Sequence, residues 1–331
     1  MKVVVLAGGV GGARFLLGMR EALARAGSGD DGAVAGAHEL TAIVNTGDDA
    51  WVAGLRVTPD LDSIMYALAG VNDTVRGWGR IGETERVSAE LTAWGVGWPW
   101  FTLGDLDLGA HIARTSWLRE GVPLSEIVTR LTARWPLGVR LIPSTDDEVE
   151  TWVEVDDPDT GIRSMHFQEW WVKHRSGLPA RRFEQRGVAD ATPAAGVLDA
   201  IRDADVVVIG PSNPVVSIGT ILGIPGIADA LRETAAPVVG VSPIIGGAVV
   251  RGMADACLAA IGVETSAVAV AQHYGARASG GLIDGWLVDD VDAAGVPVLE
   301  GLGIRSAALP LLMRDEATSV AIATAALDLA R

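Results

Sequence analysis

Four aspartates and a run of glycines near the N-terminus are the residues of this chain best suited to chemistry. Asp48-Asp49 follow Asn45-Thr46-Gly47, and Asp60 and Asp62 stand in Thr58-Pro59-Asp60-Leu61-Asp62-Ser63. Carboxylates are hard oxygen ligands, and magnesium typically takes one or two of them together with substrate phosphates. Ahead of them lie Gly8-Gly9-Val10-Gly11-Gly12, where backbone N–H groups unshielded by side chains can approach an anion closely. A phosphate cradle followed by clustered carboxylates predicts a phosphorylated ligand with a divalent metal. Either acidic pair alone reads equally well as a cap on the helix or turn that follows it. The two pairs together, downstream of the glycines, favour metal binding by Asp48, Asp49, Asp60 and Asp62.

The elements that must position these residues alternate. Residues 2–7 read as a buried strand, and Leu16, Met19 and Leu23 recur at helical spacing within a helix over 12–26. A small-residue loop spans 27–36, and a second strand runs from Leu40 to Asn45. Helices are expected around 61–69, 83–94, 108–120 and 123–134, with Pro123 near the start of the last, where a missing N–H costs least. From Arg140 to Val188 the pattern turns short, polar and β-rich, through Leu141-Ile142, Thr151–Val155 and Met165–Phe167, with a hairpin turn at Asp156–Gly161. Alternation then returns with a strand at Val206–Ile209, a helix over 219–231 and a strand at Pro237–Val241. Uniformly apolar strands separated by helices predict an α/β fold, a parallel sheet covered by helices on both faces. The expected organisation is an N-terminal α/β part (1–139), a β-rich insertion (140–188) and a C-terminal α/β part (189–331) completing the same sheet.

Composition narrows the partners. The 331 residues carry 42 acidic and 26 basic side chains, a net charge of −16 with no basic stripe, which opposes binding to nucleic acid or an anionic membrane. The single cysteine, Cys257, excludes an internal disulfide and reads as a packed helix residue. No apolar run approaches the roughly 18 residues a membrane span needs, and the first run lacks a signal-peptide pattern. A soluble, cytoplasmic protein is expected.

Two familiar nucleotide motifs fail. Counting from Gly9, the sixth position of a Gly-x-Gly-x-x-Gly fingerprint is Arg14. The second strand ends in Asn45, not in the acidic residue that would hold a ribose. No Gly-x-x-x-x-Gly-Lys-Ser/Thr run exists. Two further loops follow strands of the second half, Pro211-Ser212-Asn213-Pro214-Val215-Val216-Ser217-Ile218-Gly219 and Ser242-Pro243-Ile244-Ile245-Gly246-Gly247. Each is placed to recognise a nucleotide, or to be a rigid turn. Among 11 tryptophans, Trp51 and Trp78 flank the acidic region and Trp170-Trp171 lie in the β-rich insertion; most read as core or lid packing, and one or two can wall a planar ligand. His111, His166 and His273 show no metal-ligand spacing and read as structural.

Together these segments resemble a known family. Val-Leu-Ala-Gly-Gly-Val-Gly-Gly-Ala-Arg-Phe-Leu-Leu-Gly (5–18), Asn-Thr-Gly-Asp-Asp-Ala-Trp (45–51), Pro-Asp-Leu-Asp (59–62), His-Phe-Gln-Glu-Trp-Trp (166–171), the loop 211–219 and Ser-Pro-Ile-Ile-Gly (242–246) are similar to the 2-phospho-L-lactate transferases of coenzyme F-420 biosynthesis. The actinobacterial phosphoenolpyruvate transferase branch is the nearest in pattern. The resemblance implies a Rossmann-like fold, a homodimer and a magnesium-dependent transfer. The ribityl hydroxyl of the deazaflavin Fo would attack a guanosine diphosphate ester of enolpyruvate or lactate, releasing GMP and giving dehydro coenzyme F-420-0 or coenzyme F-420-0.

On that resemblance Asp49 and Asp62 are the leading catalytic and magnesium residues, supported by Asp48 and Asp60, and Asp62→Asn should abolish transfer with little loss of folding. Gly9, Gly11 and Gly12 cradle the diphosphate with Arg14 as partner. Asn213, Ser217, Ile244 and Gly246 contact guanosine, while Trp51 and Trp78 face the deazaflavin. One departure stands out: the family's Gly-Asp-Arg-Asp is Gly104-Asp105-Leu106-Asp107 here. The rival reading is a non-catalytic nucleotide-sugar-binding regulator of the gluconeogenesis-factor type, which shares a glycine-rich start. A nicotinamide oxidoreductase comes third.

Overall fold

A strand reading Lys-Val-Val-Val-Leu-Ala is apolar on both faces, so both faces demand cover. The computed structural model describes residues 1–27 and 38–331. Apart from Gly27, the loop expected over 27–36 lies outside the described residues. The strands are β1 (Lys2–Ala7), β2 (Glu39–Val44), β3 (Ala50–Val52), β4 (Leu55–Val57), β5 (Arg140–Pro143), β6 (Glu150–Asp157), β7 (Gly161–His166), β8 (Ala180–Arg186), β9 (Val206–Ile209), β10 (Val238–Val241), β11 (Ile244–Ile245), β12 (Ala248–Val249), β13 (Gly285–Val288) and β14 (Arg305–Ala308). The helices are α1 (Gly9–Gly27), α2 (Pro59–Leu68), α3 (Arg86–Ala93), α4 (Asp105–Arg119), α5 (Leu124–Thr132), α6 (Val197–Arg202), α7 (Ile218–Gly223), α8 (Ile227–Glu233), α9 (Ala254–Ala260), α10 (Ala267–Tyr274), α11 (Val296–Gly301) and α12 (Glu316–Leu329).

Seven strands form one parallel sheet in the order β14-β13-β10-β9-β1-β2-β5. Alternate residues of β1 point to opposite layers. Val3, Val5 and Ala7 pack with Phe15, Leu16 and Met19 of α1, Ile64 of α2 and Ile322 of α12. Val4 and Leu6 belong to the opposite core, which also holds Ile218 and Ile221 of α7 and Val153 of β6. Full burial of a side chain such as Leu16 or Met19 contributes about 2 kcal/mol, so the two layers together fix the sheet. Strand order reverses between β1 and β9, and open α/β sheets leave a crevice at that reversal, beyond the carboxyl ends of the strands. The Rossmann-like α/β class expected from sequence is the fold observed.

Several boundaries differ from the sequence reading for local reasons. Helix α1 begins at Gly9, so the glycines are its first turn and not a loop before it. The Gly12 N–H already donates to the Gly8 carbonyl at 3.3 Å. The single helix expected over 219–231 is two, α7 and α8, because Pro225-Gly226 interrupts it and Gly226 sits at φ +93°. Leu141-Ile142 belong to β5, the edge of the parallel sheet beside β2, and not to the β-rich group. The antiparallel sheet β7-β6-β8 is separate from the parallel one, and its apolar residues Val153, Met165 and Phe183, with Trp170 from the turn after β7, share a core with α7 and α9. Cys257 lies in that core, buried. No helix among the described residues is long and apolar enough to cross a membrane.

Helices α1 and α12 cross closely at Gly18, where an added Cβ would fall 2.4 Å from the Ser319 carbonyl oxygen. Gly18→Ala must push the two helices apart, and overpacking of this kind costs about 1–3 kcal/mol. A matching fall in unfolding free energy by urea denaturation is expected. Unchanged stability would mean that the crossing is looser than described.

Candidate active site

The crevice at the strand reversal is a cavity of about 300 Å³ lined by Gly8, Gly9, Gly11, Arg14, Asp48, Asp60, Ser63, Gln168, Trp171, Asn213, Ser217 and Arg251, among others. A wider groove beside α1 and α2 contains Arg20 but no carboxylate. There the arginine donates to the carbonyls of Leu68 and Leu137 at 2.9 and 2.8 Å. The chemistry therefore belongs to the crevice.

Its floor is made by close approach. The Gly8 N–H donates to Ser212 Oγ at 2.9 Å, and that hydroxyl donates back to the Gly8 carbonyl at 2.8 Å. An added Cβ on Gly8 would fall 2.6 Å from Asp60 Oδ2, and one on Gly11 would fall 2.6 Å from the Pro211 carbonyl oxygen. Gly9, at φ +59°, donates its N–H to the Asp60 carboxylate. The start of α1 therefore already faces an anion of the protein itself, where the helix dipole favours one.

Asn45, fully buried at the end of β2, organises the acidic residues. Its Nδ2 donates to Asp48 Oδ1 at 3.2 Å and to Asp60 Oδ2 at 2.9 Å, while its Oδ1 accepts the Gly47 N–H at 2.9 Å. Burial pushes the Asp48 carboxyl well above the usual range, with the nearby Asp60 charge adding to it. Burial likewise raises Asp60 to about 6, against the Asn45 and Gly9 donors that favour its charged form. Asp49 is completely buried, and neither of its oxygens has a hydrogen-bond partner. Burial holds its carboxyl well above the ordinary value despite Arg56, whose Nη2 stands 3.7 Å away, and despite the field of Arg114.

These oxygens fit a hard divalent cation. Asp49 presents two orphaned buried acceptors, and Asp48 and Asp60 converge on one amide when their charges should drive them apart.

Asp62 is used differently. It pairs with the fully buried Arg114, accepts from Thr58 Oγ1 at 3.2 Å, and lies 3.6 Å from His111 Nδ1. Behind it, His111 Nε2 is 3.4 Å from Asp107, which also accepts the Tyr66 hydroxyl at 2.7 Å. His111 therefore does join a cluster of potential ligands with Asp62 and Asp107, through space and not through sequence spacing. Arg114 supplies the counter-charge at that point. Arg56 in turn donates to Glu150 at 3.1 Å.

The expected substrate contacts divide. Gly9, Gly11, Arg14, Asp48, Asp60, Asn213 and Ser217 line the cavity; Gly12, Asp49, Asp62, Ile244, Gly246, Trp51 and Trp78 do not. Gly12 is needed for packing, since its Cβ would fall 2.8 Å from that of Ala7. Ile244 is buried and locked to the Ser242 hydroxyl, leaving Ile245 to face the cavity. The Gly246 N–H donates to Asp292 at 2.9 Å. Trp51 donates to Glu148 at 3.1 Å, and Trp78 lies 4.2 Å beneath the Arg76 guanidinium. Asn213 shapes its own loop: Oδ1 accepts from the N–H groups of Val215 and Val216, and Nδ2 faces Cys257 Sγ at 3.4 Å. Leu106, the departure from the family pattern, donates its N–H to Glu83 at the start of α4 and does not line the cavity. Sequence reasoning gives no site role to Asn45, Ser63, Gln168 or Arg251, and leaves Trp171 as only one of several tryptophans able to wall a ligand. Asn45 was in view, but only as the absence of an acid.

A family model described as 2-phospho-L-lactate transferase CofD matches residues 3–297. A phosphoenolpyruvate transferase of Thermobifida fusca is 55% identical over 331 residues, covering 100% of this chain and 98% of that protein. The same-named protein of Streptomyces griseus is 52% identical over 336 residues, with 100% and 98% covered. That of Mycolicibacterium smegmatis is 52% identical over 331 residues, with 100% and 99% covered. Among solved structures, a UPF0052 family protein from Bacillus halodurans superposes with a TM-score of 0.62 at 17% identity, covering 98% of each chain, a likeness of fold.

Asp60 and Asp62 should respond to the same substitution with opposite signs. With its carboxyl raised to about 6 in the folded protein and near 3.8 unfolded, Asp60 holds more protons folded than unfolded between these values. Its contribution to stability therefore falls as pH rises through that window. Without divalent metal, Asp60→Asn is expected to raise the Tm at pH 7.5 by about 3 °C, and to lose that advantage near pH 4. Asp62→Asn leaves Arg114 buried beside a neutral partner and should cost about 3 kcal/mol. This replaces the sequence expectation of little loss of folding. Calorimetry of both variants in chelator checks the pair, and a Tm loss in Asp60→Asn would contradict the repulsion argument.

Proposed function

Since the chain belongs to the 2-phospho-L-lactate transferase family, a transferase family of coenzyme F-420 biosynthesis, we propose that it joins an enolpyruvyl phosphate to the deazaflavin Fo. The ribityl hydroxyl oxygen bonds to the phosphorus that carries enolpyruvate in a guanosine diphosphate ester. The bond from that phosphorus to the GMP oxygen breaks, GMP leaves, and the hydroxyl proton passes to a base. Dehydro coenzyme F-420-0 is the product. The enolpyruvyl donor is preferred over the lactyl one because relatives 51–55% identical carry the name phosphoenolpyruvate transferase.

One observation carries this reading: the buried carboxylates of Asp48 and Asp60, sharing one Asn45 amide, meet the N-terminus of α1 in a cavity at the strand reversal, and the carboxylate of Asp49, next to Asp48 in the chain, has no hydrogen-bond partner. Phosphoryl transfer depends on positioning and charge neutralisation more than on covalent catalysis. Asp48, Asp49 and Asp60 would hold a magnesium ion, which when bound neutralises charge on the transferring phosphate. Asp48 or Asp60, both lining the cavity, orients the attacking hydroxyl. Gly9 and Gly11 let the diphosphate approach the backbone, and Arg14 faces the same space. The deazaflavin ring has an aromatic wall available at Trp171, in place of Trp51 and Trp78. Asp62 holds Arg114 and does not bind the metal directly. The working unit is a homodimer in the cytoplasm, a placing that suits the one buried thiol.

Incubation with Fo, the guanosine diphosphate ester of enolpyruvate and Mg2+ should release GMP in proportion to product. Chelator should stop it, and Asp49→Asn should slow it about 100-fold or more. Tight binding of the ester without GMP release would favour the regulator reading instead.

A further inference from the structure

The charged side chains lining the cavity are Asp48, Asp60, Arg14 and Arg251. A protein of net charge −16 must still admit a donor that brings several negative charges of its own, so the cations facing that space matter. Most arginines around the site are committed. Arg56 is bonded to Glu150, Arg114 is paired with Asp62, and Arg14 donates from Nη1 to the Met313 carbonyl at 3.2 Å. Arg251 differs: among the described residues it makes no hydrogen bond and no ion pair.

Its surroundings keep it available. Arg251 stands between β12 and α9, and its neighbours Val250, Gly252, Met253 and Ala254 line the same cavity. Facing it is Gly77, at φ +82°, where an added Cβ would fall 2.7 Å from Arg251 Nη2. The facing loop thus carries no side chain where the guanidinium passes. A planar guanidinium with a free fork matches a phosphate or a carboxylate through two parallel N–H···O bonds, which an ammonium cannot reproduce.

We propose that Arg251 binds an oxyanion of the donor, a phosphate or the enolpyruvyl carboxylate, and sets the donor's affinity. This rests on the transferase reading of the cavity. Its test is Arg251→Gln and Arg251→Lys against the parent protein, titrated with GDP and then with the guanosine diphosphate ester of enolpyruvate in Mg2+. Arg251→Gln is expected to weaken ester binding about tenfold or more, with part of the loss recovered in Arg251→Lys. Mg2+ affinity and Tm should stay at the parent's values, which a merely structural role would not allow. Equal losses for GDP and ester assign the phosphate; a loss confined to the ester assigns the carboxylate. Parent-like dissociation constants for both ligands in Arg251→Gln overturn the proposal. GMP release with Fo is measured separately on the parent protein, so failure of the transferase reading shows there and not in these titrations.

Discussion

One amide nitrogen of Asn45 donates to two carboxylates that would otherwise separate, and the architecture around it keeps both of them buried. Like charges held together out of water are unfavourable for a folded chain. The amide can hold them because it adds donors without adding charge, and because its own oxygen is fixed by the Gly47 N–H. An aspartate at position 45 would add a third negative charge. An apolar residue there would leave the carboxylates unheld. The site is thus pre-strained toward anything positive, and the fold supplies the stability that this arrangement removes.

That supply comes from both layers of the sheet. Side chains of β1 alternate between two cores, so the strand that delivers the glycines is fixed from above and below. The reversal of strand order beside it opens the crevice. Behind the crevice, carboxylates and arginines alternate through the half-buried Glu150 and the buried Arg56, Asp49, Arg114 and Asp62, and His111 stands between Asp62 and Asp107. Each arginine there is hydrogen-bonded, which is the condition for tolerating a buried cation. Asp49 alone in the series has no hydrogen bond to either oxygen, and it lies nearest in charge to the cavity pair.

Much of this was legible in the sequence because it is local. A short β-branched run such as Val206–Ile209, closed by Gly210-Pro211, reads as a buried strand, and the glycine stretch upstream of Asp48, Asp49 and Asp60 marks a site from sequence alone. What escaped was whatever depends on a partner far along the chain. Asp62 looked equivalent to Asp60, two residues away, yet helical geometry turns it toward Arg114 and not toward the cavity. Trp51 and Trp78 lie near the acidic segments in sequence, whereas Trp171, 93 residues beyond Trp78, faces the cavity. Arg251 had no motif around it. Its interest arises from lacking a partner, which no sequence pattern encodes.

The reciprocal pair of hydrogen bonds between Gly8 and Ser212 joins residues separated by 204 positions. β1 likewise lies between β2 and β9, so one of its edges stays open until Val206–Ile209 can pair with it. On a ribosome that emits the chain from its N-terminus, the first strand made is among the later ones to be finished on both sides. An unpaired apolar edge is a hazard for aggregation while it lasts. The same delay has a useful side. A prematurely ended chain lacking the second half retains its glycines and aspartates but has no opposite wall, so it forms no crevice in which to sequester nucleotide or metal.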